Sequence, residues 1–217
     1  MPKDTFLNLD EEKRQRFVQA AFEEFCKHDF QNASISQIVK KLGIAKGSVY
    51  QYFENKADLY LYLFELAQLK KAEYVQARPL KPGEDFFAWI EELWTIGLRF
   101  DLEHPLYTGF LYNIMRERDP VAKTLMKENR QRSETYFKQL FMGFQEQGIL
   151  RQDVDLDFMV FFFTQSAQGL AEYMFQQHDQ ENLALVREGK SFMHVQQEEI
   201  MALVRQLSTL LRSGMMS

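Results

Sequence analysis

Residues 34–59 read SISQIVKKLGIAKGSVYQYFENKADL. Ile35, Ile38, Val39 and Leu42 recur at i, i+3, i+4 and i+7, which puts one apolar stripe on a helix of two turns. Ser34 stands just ahead of that stripe, where an N-cap hydroxyl is expected to accept from the free N–H groups of the first turn. Gly43 follows the last periodic position, as expected of a residue that must take positive φ to end a helix. The connection Gly43-Ile44-Ala45 leads into a second helix from Lys46 to Phe53. There Val49 and Phe53 share one side, leaving Lys46, Gly47, Tyr50 and Gln51 largely on the other. A helix with two strong anchors and so polar a face is poorly explained by packing alone.

Charge points the same way. The 217-residue chain carries a net charge of −5, yet residues 34–56 hold four lysines (Lys40, Lys41, Lys46, Lys56) against one acid, Glu54. A locally cationic face on an acidic protein suits phosphate. Two helices joined by a short glycine-containing turn form a helix-turn-helix, whose second helix can enter the major groove. Gly47 at its start would let the backbone come close to a duplex. Short helix-turn-helix geometries also occur in all-α proteins that never touch DNA.

The run Gly43-Ile44-Ala45-Lys46-Gly47-Ser48-Val49-Tyr50-Gln51-Tyr52-Phe53, followed by Asn55-Lys56 and Leu59, resembles the DNA-binding signature of the TetR family of bacterial transcriptional regulators. That signature is approximately G-V-S-x-G-T-[LV]-Y-x-[YH]-F-x-[SN]-K-x-x-L. Ala45 departs from it where a hydroxyl residue is usual, and Ser36 where a longer basic side chain is common. The resemblance implies an all-α chain: a three-helix helix-turn-helix domain over 1–55, a connecting helix over 56–78, and a helical effector-binding and dimerisation domain over 79–217. It implies a repressor that binds a palindromic operator in double-stranded DNA as a homodimer and is released by a small effector. Ser34 and Ser36 would then touch phosphates, Lys46, Gly47, Ser48, Tyr50 and Tyr52 would face bases and backbone beside Gln51, and Lys56 would hold a phosphate. The competing readings are a helical small-molecule binding protein, or an enzyme, that keeps the motif without regulating DNA.

A composition of 46% hydrophobic and 26% charged residues fits a globular protein able to bury a core. The single Cys26 excludes an internal disulfide and, beside Phe22 and Phe25, reads as a buried structural thiol. The first residues contain no apolar run of a secretory signal, so a cytoplasmic location is expected. The stretch Phe158 to Phe175 is interrupted by Thr164, Gln165, Ser166, Gln168 and Glu172, which predicts a buried helix rather than a membrane span. His28, His104, His178 and His194 have none of the spacings of a metal site, and no nucleophile elbow or phosphate-cradling glycine loop is present. No catalyst, metal or cofactor is therefore expected.

Taken in order, a first helix is expected from about Asp10 to His28, its start carrying Lys13, Arg14 and Arg16 either as a solvated face or within reach of a phosphate. A long helix from Asn55 to about Gln76 follows, then helices from about Glu84 to Leu102, through Phe110 to Met115, and from Asp119-Pro120 to a stop at Gly148. Asp153, Asp155 and Asp157 suit helix capping, since a calcium loop would need glycine where Phe158 stands and glutamate where Thr164 stands. The last two long helices, about 156–177 and 192–211, flank a polar span containing Asp179, Gln180, Glu181 and Gly189. By the resemblance this pair forms a four-helix dimer bundle, for which Ala167, Gly169, Ile200, Leu203, Val204 and Leu207 offer contacts or else fill the chain's own core. Trp89, Trp94, Phe110, Tyr112, Phe162 and Tyr173 either wall an effector pocket suited to a lipophilic or aromatic ligand or fill the core.

Overall fold

The structure is a computed structural model that describes residues 1–191 and 197–216, the side chains of residues 175 and 179 excepted. Among the described residues there are eleven helices: α1 (Asp4–Leu7), α2 (Glu11–Lys27), α3 (Ile35–Leu42), α4 (Lys46–Tyr52), α5 (Lys56–Gln76), α6 (Phe86–Glu103), α7 (Pro105–Arg116), α8 (Pro120–Glu146), α9 (Leu156–Gln177), α10 (Asp179–Arg187) and α11 (Gln197–Met215). The extended pairing described is one isolated bridge between Leu150 and Met216. The fold is all-α, as expected.

The caps show why the helices begin where they do. The side chains of Asp10, Asn55, Asp85, Asp119 and Asp155 each accept from a first-turn N–H, satisfying donors that have no partner within the helix. The expected capping role for the aspartates after Gly148 holds for Asp155, which accepts from the Phe158 N–H at 2.9 Å. Asp153 instead pairs with Arg151 at 2.6 Å. Ser34 holds the N-cap position of α3, but its side chain makes no capping bond. Its own N–H donates to Glu24 Oε1 at 2.8 Å, so the α2 carboxylate fixes the α3 start where a hydroxyl was expected to.

Three expectations need correction. The first residues contain a short helix, α1, with Phe6 fully buried. The polar span after residue 178 is largely helical as α10, anchored by buried Val186 and half-buried Leu183 and Leu185. Helix α9 is not buried all round, since Phe158, Phe161, Phe162 and Tyr173 stand on an exposed face. The last helix runs on to Met215, and its expected start at Phe192, like His194, lies outside the described residues.

Two apolar cores organise the molecule. One gathers α1 to α5, α7 and α10 with Leu98 of α6, Ala122 and Leu125 of α8, Met174 of α9 and Ile200 and Val204 of α11, and in it Phe110 on α7 meets the rings of Phe22, Phe25 and Tyr60 at 5.3, 6.1 and 5.1 Å. The other gathers α6, α8, α9 and α11 around Phe86, Phe141 and Phe163. Half-buried Trp94 on α6 packs against both. Helix α5 runs out of the first core alongside α6, where Lys71 Nζ lies 3.0 Å from the buried Asp101 carboxylate and the Thr108 hydroxyl of α7 donates to the same group at 2.9 Å. Asn113 of α7 donates to the carbonyls of Phe25 and Cys26, each at 2.9 Å. Helices α6, α8, α9 and α11 each place buried residues in both cores and so are the elements through which the two cores touch, while the ties to Asp101 fasten α5 and α7 to α6.

Candidate nucleic-acid interface

The geometry of α3, turn and α4 follows from the sequence. Gly43 takes φ of 68°, and the next N–H, of Ile44, closes back on the Val39 carbonyl at 3.1 Å. Ile35, Ile38 and Val39 bury the inner face of α3 and Val49 that of α4, with Phe53 fully buried just after it. Packing on these anchors turns Lys46, Gly47, Tyr50 and Gln51 outward, with Ser48 half-buried at the edge. Tyr50 is 45% exposed, a large aromatic left in solvent at the centre of the polar face. Nothing lies within 4 Å of where a Cβ on Gly47 would stand, so the helix start is open to an approaching surface. Ser36 is exposed on α3 and Ser34 half-buried at its start.

Two of the expected site residues serve the fold. Tyr52 is half-buried, its ring centre 5.7 Å from that of Phe17 in an edge-to-face contact and 5.7 Å from that of Phe6. Lys56 donates to the carbonyls of Gln31 and Ala33 at 3.1 and 3.0 Å, and its ammonium sits 4.8 Å from the centre of the Phe30 ring. Two of its three donors thus fasten the α2–α3 link to the start of α5. Lys41 is paired with Glu23. Among the described residues, the motif lysines with neither an ion pair nor a side-chain hydrogen bond are therefore Lys40 and Lys46, fewer than the sequence count suggests.

The surroundings add what the sequence did not disclose. Helix α1 lies against α4: the Lys3 N–H donates to the Tyr52 carbonyl at 2.8 Å, Lys3 Nζ to the Tyr50 carbonyl at 3.0 Å, and the Thr5 hydroxyl to the Gln51 carbonyl. These are the last carbonyls of α4, which a seven-residue helix leaves without intrahelical partners. Lys3 also pairs with Glu54 at 2.9 Å, and its charge and hydrogen bond hold that exposed carboxyl below its usual pKa. Lys13 and Arg16 of α2, exposed, line a small groove with Ile44 and Tyr52 and so stand beside the turn that leads into α4. The only advance signal for them was their charge at the start of α2.

The expected effector-pocket aromatics are not brought together. Trp89 is buried in the second core, Phe110 and Tyr112 are buried in the first, and Trp94 lies between. Phe162 and Tyr173 face outward from α9 at 47% and 52% exposure. Of the expected dimer contacts, Ile200 and Val204 are buried within the chain's own core, Leu203, Leu207 and Ala167 are half-buried, and Gly169 is exposed. Cys26 is buried, its thiol donates to the Leu106 carbonyl at 3.2 Å, and burial pushes its pKa up to about 12. Among the described residues no group of three or more His, Cys, Asp and Glu is placed to hold a metal ion, and no helix is long and apolar enough to cross a membrane.

Residues 17–63 match the model of the family described as bacterial regulatory proteins, tetR family. A TetR family transcriptional regulator from Chloroflexus aurantiacus is 32% identical, with a TM-score of 0.74 over 100% of this chain and 99% of that one. The probable acrEF/envCD operon repressor of Escherichia coli K12 is 22% identical over 165 residues, 73% of this chain and 74% of the repressor. The structure of a SmeT–triclosan complex shares the fold at 13% identity, with a TM-score of 0.68 over 95% of this chain and 93% of that one. The first two are named as a transcriptional regulator and a repressor. Full-length likeness at 32% identity, together with the helix-turn-helix match, establishes that the chain belongs to the TetR family of transcriptional regulators.

Proposed function

We propose that the protein is a repressor that binds a palindromic operator as a homodimer through α4 and is released by a small effector held among its C-terminal helices. The observation that carries DNA binding is the outward face of α4, where Lys46, Gly47, Tyr50 and Gln51 stand free on a helix anchored from behind by Val49 and Phe53. Phosphate contacts fix register, and base-edge contacts specify sequence. Lys46 with Ser34 and Ser36 supplies the first kind, joined by Lys13 and Arg16 of α2, while Tyr50, Gln51 and Ser48 supply the second. Tyr52 and Lys56 hold α4 and the α2–α3 link at the angle this requires. The division proposed is a DNA-binding unit over 1–55, a connecting α5 and a C-terminal unit over 79–217.

Dimerisation through α9 and α11 is supported by the aromatic face of α9. Phe158, Phe161, Phe162 and Tyr173 fall on one side of the helix and are each about half exposed or more, with Leu210 of α11 at 72%. Such a stripe is costly in water and marks an interaction surface. Phe162 and Tyr173 accordingly belong with Gly169, Leu203 and Leu207 at the subunit contact rather than with an effector. Trp94, which borders both cores, is the aromatic best placed to touch a lipophilic ligand. Two α4 helices in a twofold dimer must stand ~34–36 Å apart to enter successive major grooves. An effector that favours another spacing by ~3 kcal/mol would lower operator affinity roughly 150-fold.

The test is operator selection from random duplex DNA, followed by a mobility-shift titration across salt concentrations. Lys46→Ala and Tyr50→Ala should keep the wild-type melting temperature and weaken binding at least about tenfold. Lys46→Ala should also reduce the slope of log affinity against log salt by about one. Unchanged affinity in both variants would remove α4 from the interface.

A further inference from the structure

Helix α4 is supported from behind along one line, by buried Val49 and Phe53 four positions apart. A helix held on one stripe can still roll about it, and roll decides where Tyr50 and Gln51 point. The second support comes from α1. The Val49 carbonyl accepts from the Phe53 N–H at 2.8 Å, but the next three carbonyls are all held from the α1 side. Lys3 Nζ donates to Tyr50 at 3.0 Å, the Thr5 hydroxyl to Gln51, and the Lys3 N–H to Tyr52 at 2.8 Å. The Tyr52 ring adds a third support, resting on Phe6 of α1 as well as on Phe17 of α2.

Lys3 supplies two of these three bonds. Its ammonium stands at the C-terminal end of α4, where the peptide dipoles favour a cation, and it pairs with Glu54 in the α4–α5 link at 2.9 Å. The Glu54 N–H donates to the Asp58 carboxylate of α5 at 3.1 Å, so a single cation ties α1, the end of α4 and the start of α5 together. The base of the Lys3 side chain is fixed in turn. Its carbonyl accepts from the Phe6 and Leu7 N–H groups at 2.9 and 3.3 Å, and Phe6 is fully buried.

We propose that Lys3 is a positioning residue for operator reading: it fixes the roll of α4, and so the direction of Tyr50 and Gln51, through the last carbonyls of that helix rather than through DNA. The role rests on the reading of α4 as the recognition helix. Glu54 engages the Lys3 charge and the Tyr50 carbonyl one of its donors, so Lys3 differs from Lys46, which is exposed and makes no ion pair among the described residues. Base-edge contacts need a defined direction, whereas contacts to the phosphate backbone carry no sequence information. Loss of the Lys3 ammonium therefore weakens the choice between sequences as well as the binding itself.

The experiment compares Lys3→Met, which keeps the stem, the main-chain bond to Tyr52 and the Phe6 anchor, with Lys3→Arg, which restores a charge and donors. Affinity is measured across salt for the selected operator and for a duplex with bases substituted beneath α4, with Lys46→Ala and Tyr50→Ala alongside. Lys3→Met should bind the selected operator at least about fivefold more weakly, discriminate less between the two duplexes, and keep the wild-type salt slope. Lys3→Arg should recover most of both losses. Without DNA, amide exchange in Lys3→Met should quicken in α4 and stay at wild-type rates in α2, with the melting temperature within about 4 °C of wild type. A salt slope lower by about one would make Lys3 a phosphate contact and overturn the proposal. Equal fractional losses on both duplexes, wild-type affinity, or wild-type exchange in α4 would overturn it too. Unchanged binding in both Lys46→Ala and Tyr50→Ala would overturn the reading of α4 itself, an outcome told apart because the exchange measurement needs no DNA.

Discussion

Tyr52 and Lys56 show how a motif residue can serve the fold and the interface together. Tyr52→Ala removes a half-buried ring from Phe6 and Phe17, which should cost about 1–3 kcal/mol in chemical denaturation, whereas Tyr52→Phe should leave stability near wild type. A loss of DNA affinity in Tyr52→Phe would then belong to the hydroxyl alone. Lys56→Met keeps a long stem near Phe30 but loses the two carbonyl contacts, and should lower stability by about 1–3 kcal/mol while changing the salt slope of binding by less than a free lysine would. Glu117 gives a pH signature. Burial first, with the charges of Asp29 and Asp119, raises its pKa above the ordinary 4.5 and outweighs the hydrogen bonds from Tyr60 and the Phe30 backbone. The folded state therefore holds a proton that the unfolded state has released, so Glu117 lowers stability progressively as pH rises above about 4.5 through its raised folded value. Glu117→Gln should flatten that part of the stability–pH curve, measured without ligand, and a curve superimposable on wild type would contradict the assignment. The identities of Lys46, Tyr50 and Gln51 as outward residues were legible from two anchors four apart. The inward turn of Lys56 was not, because the carbonyls that hold it come from residues more than twenty positions away.

At the scale of elements, α4 is too short to persist alone, since helices under ~12 residues are marginal in water. Its stability comes from Val49 and Phe53 beneath it and from α1 across its end. Phe6 is fully buried among Phe17, Tyr52, Phe53 and Tyr62, so Phe6→Ala should cost about 3–5 kcal/mol, and hydrogen exchange should localise early opening to α1 and α4. Exchange that stays slow in α4 would contradict this role for α1. The long helices were legible because apolar periodicity and aspartate or proline starts recur over many turns, and α5 ends at Gln76 as the spacing indicates. Helix α1, with four residues, has no period to detect. Helix α10 was hidden by its charged and amide residues, because only Leu183, Leu185 and Val186 mark its inner side.

The whole molecule joins an outward α4 to an aromatic face on α9 through two cores linked by α6, α8, α9 and α11. The resemblance to the family made this plan legible, while the aromatic-rich composition alone did not separate core rings from surface rings. Phe163 is buried and its neighbours Phe161 and Phe162 are exposed, a distinction set by which side of α9 meets α8 and α11. If that face joins two subunits, Phe161→Asp/Phe162→Asp should sediment as a folded monomer and lose most operator affinity, and a dimer of wild-type strength would contradict it. The central claim, that paired α4 helices lie in successive major grooves, is tested most directly by groove-specific cleavage. Cys26 is buried and its thiol pushed up to about 12, so a single Ala45→Cys replacement, at the exposed start of α4 and outside the proposed contacts, carries an iron–EDTA probe selectively. On the selected operator, two symmetric clusters of strand cleavage about 10 base pairs apart, or a multiple of that, are expected. Uniform cleavage, or one cluster without its symmetric mate, would contradict the account.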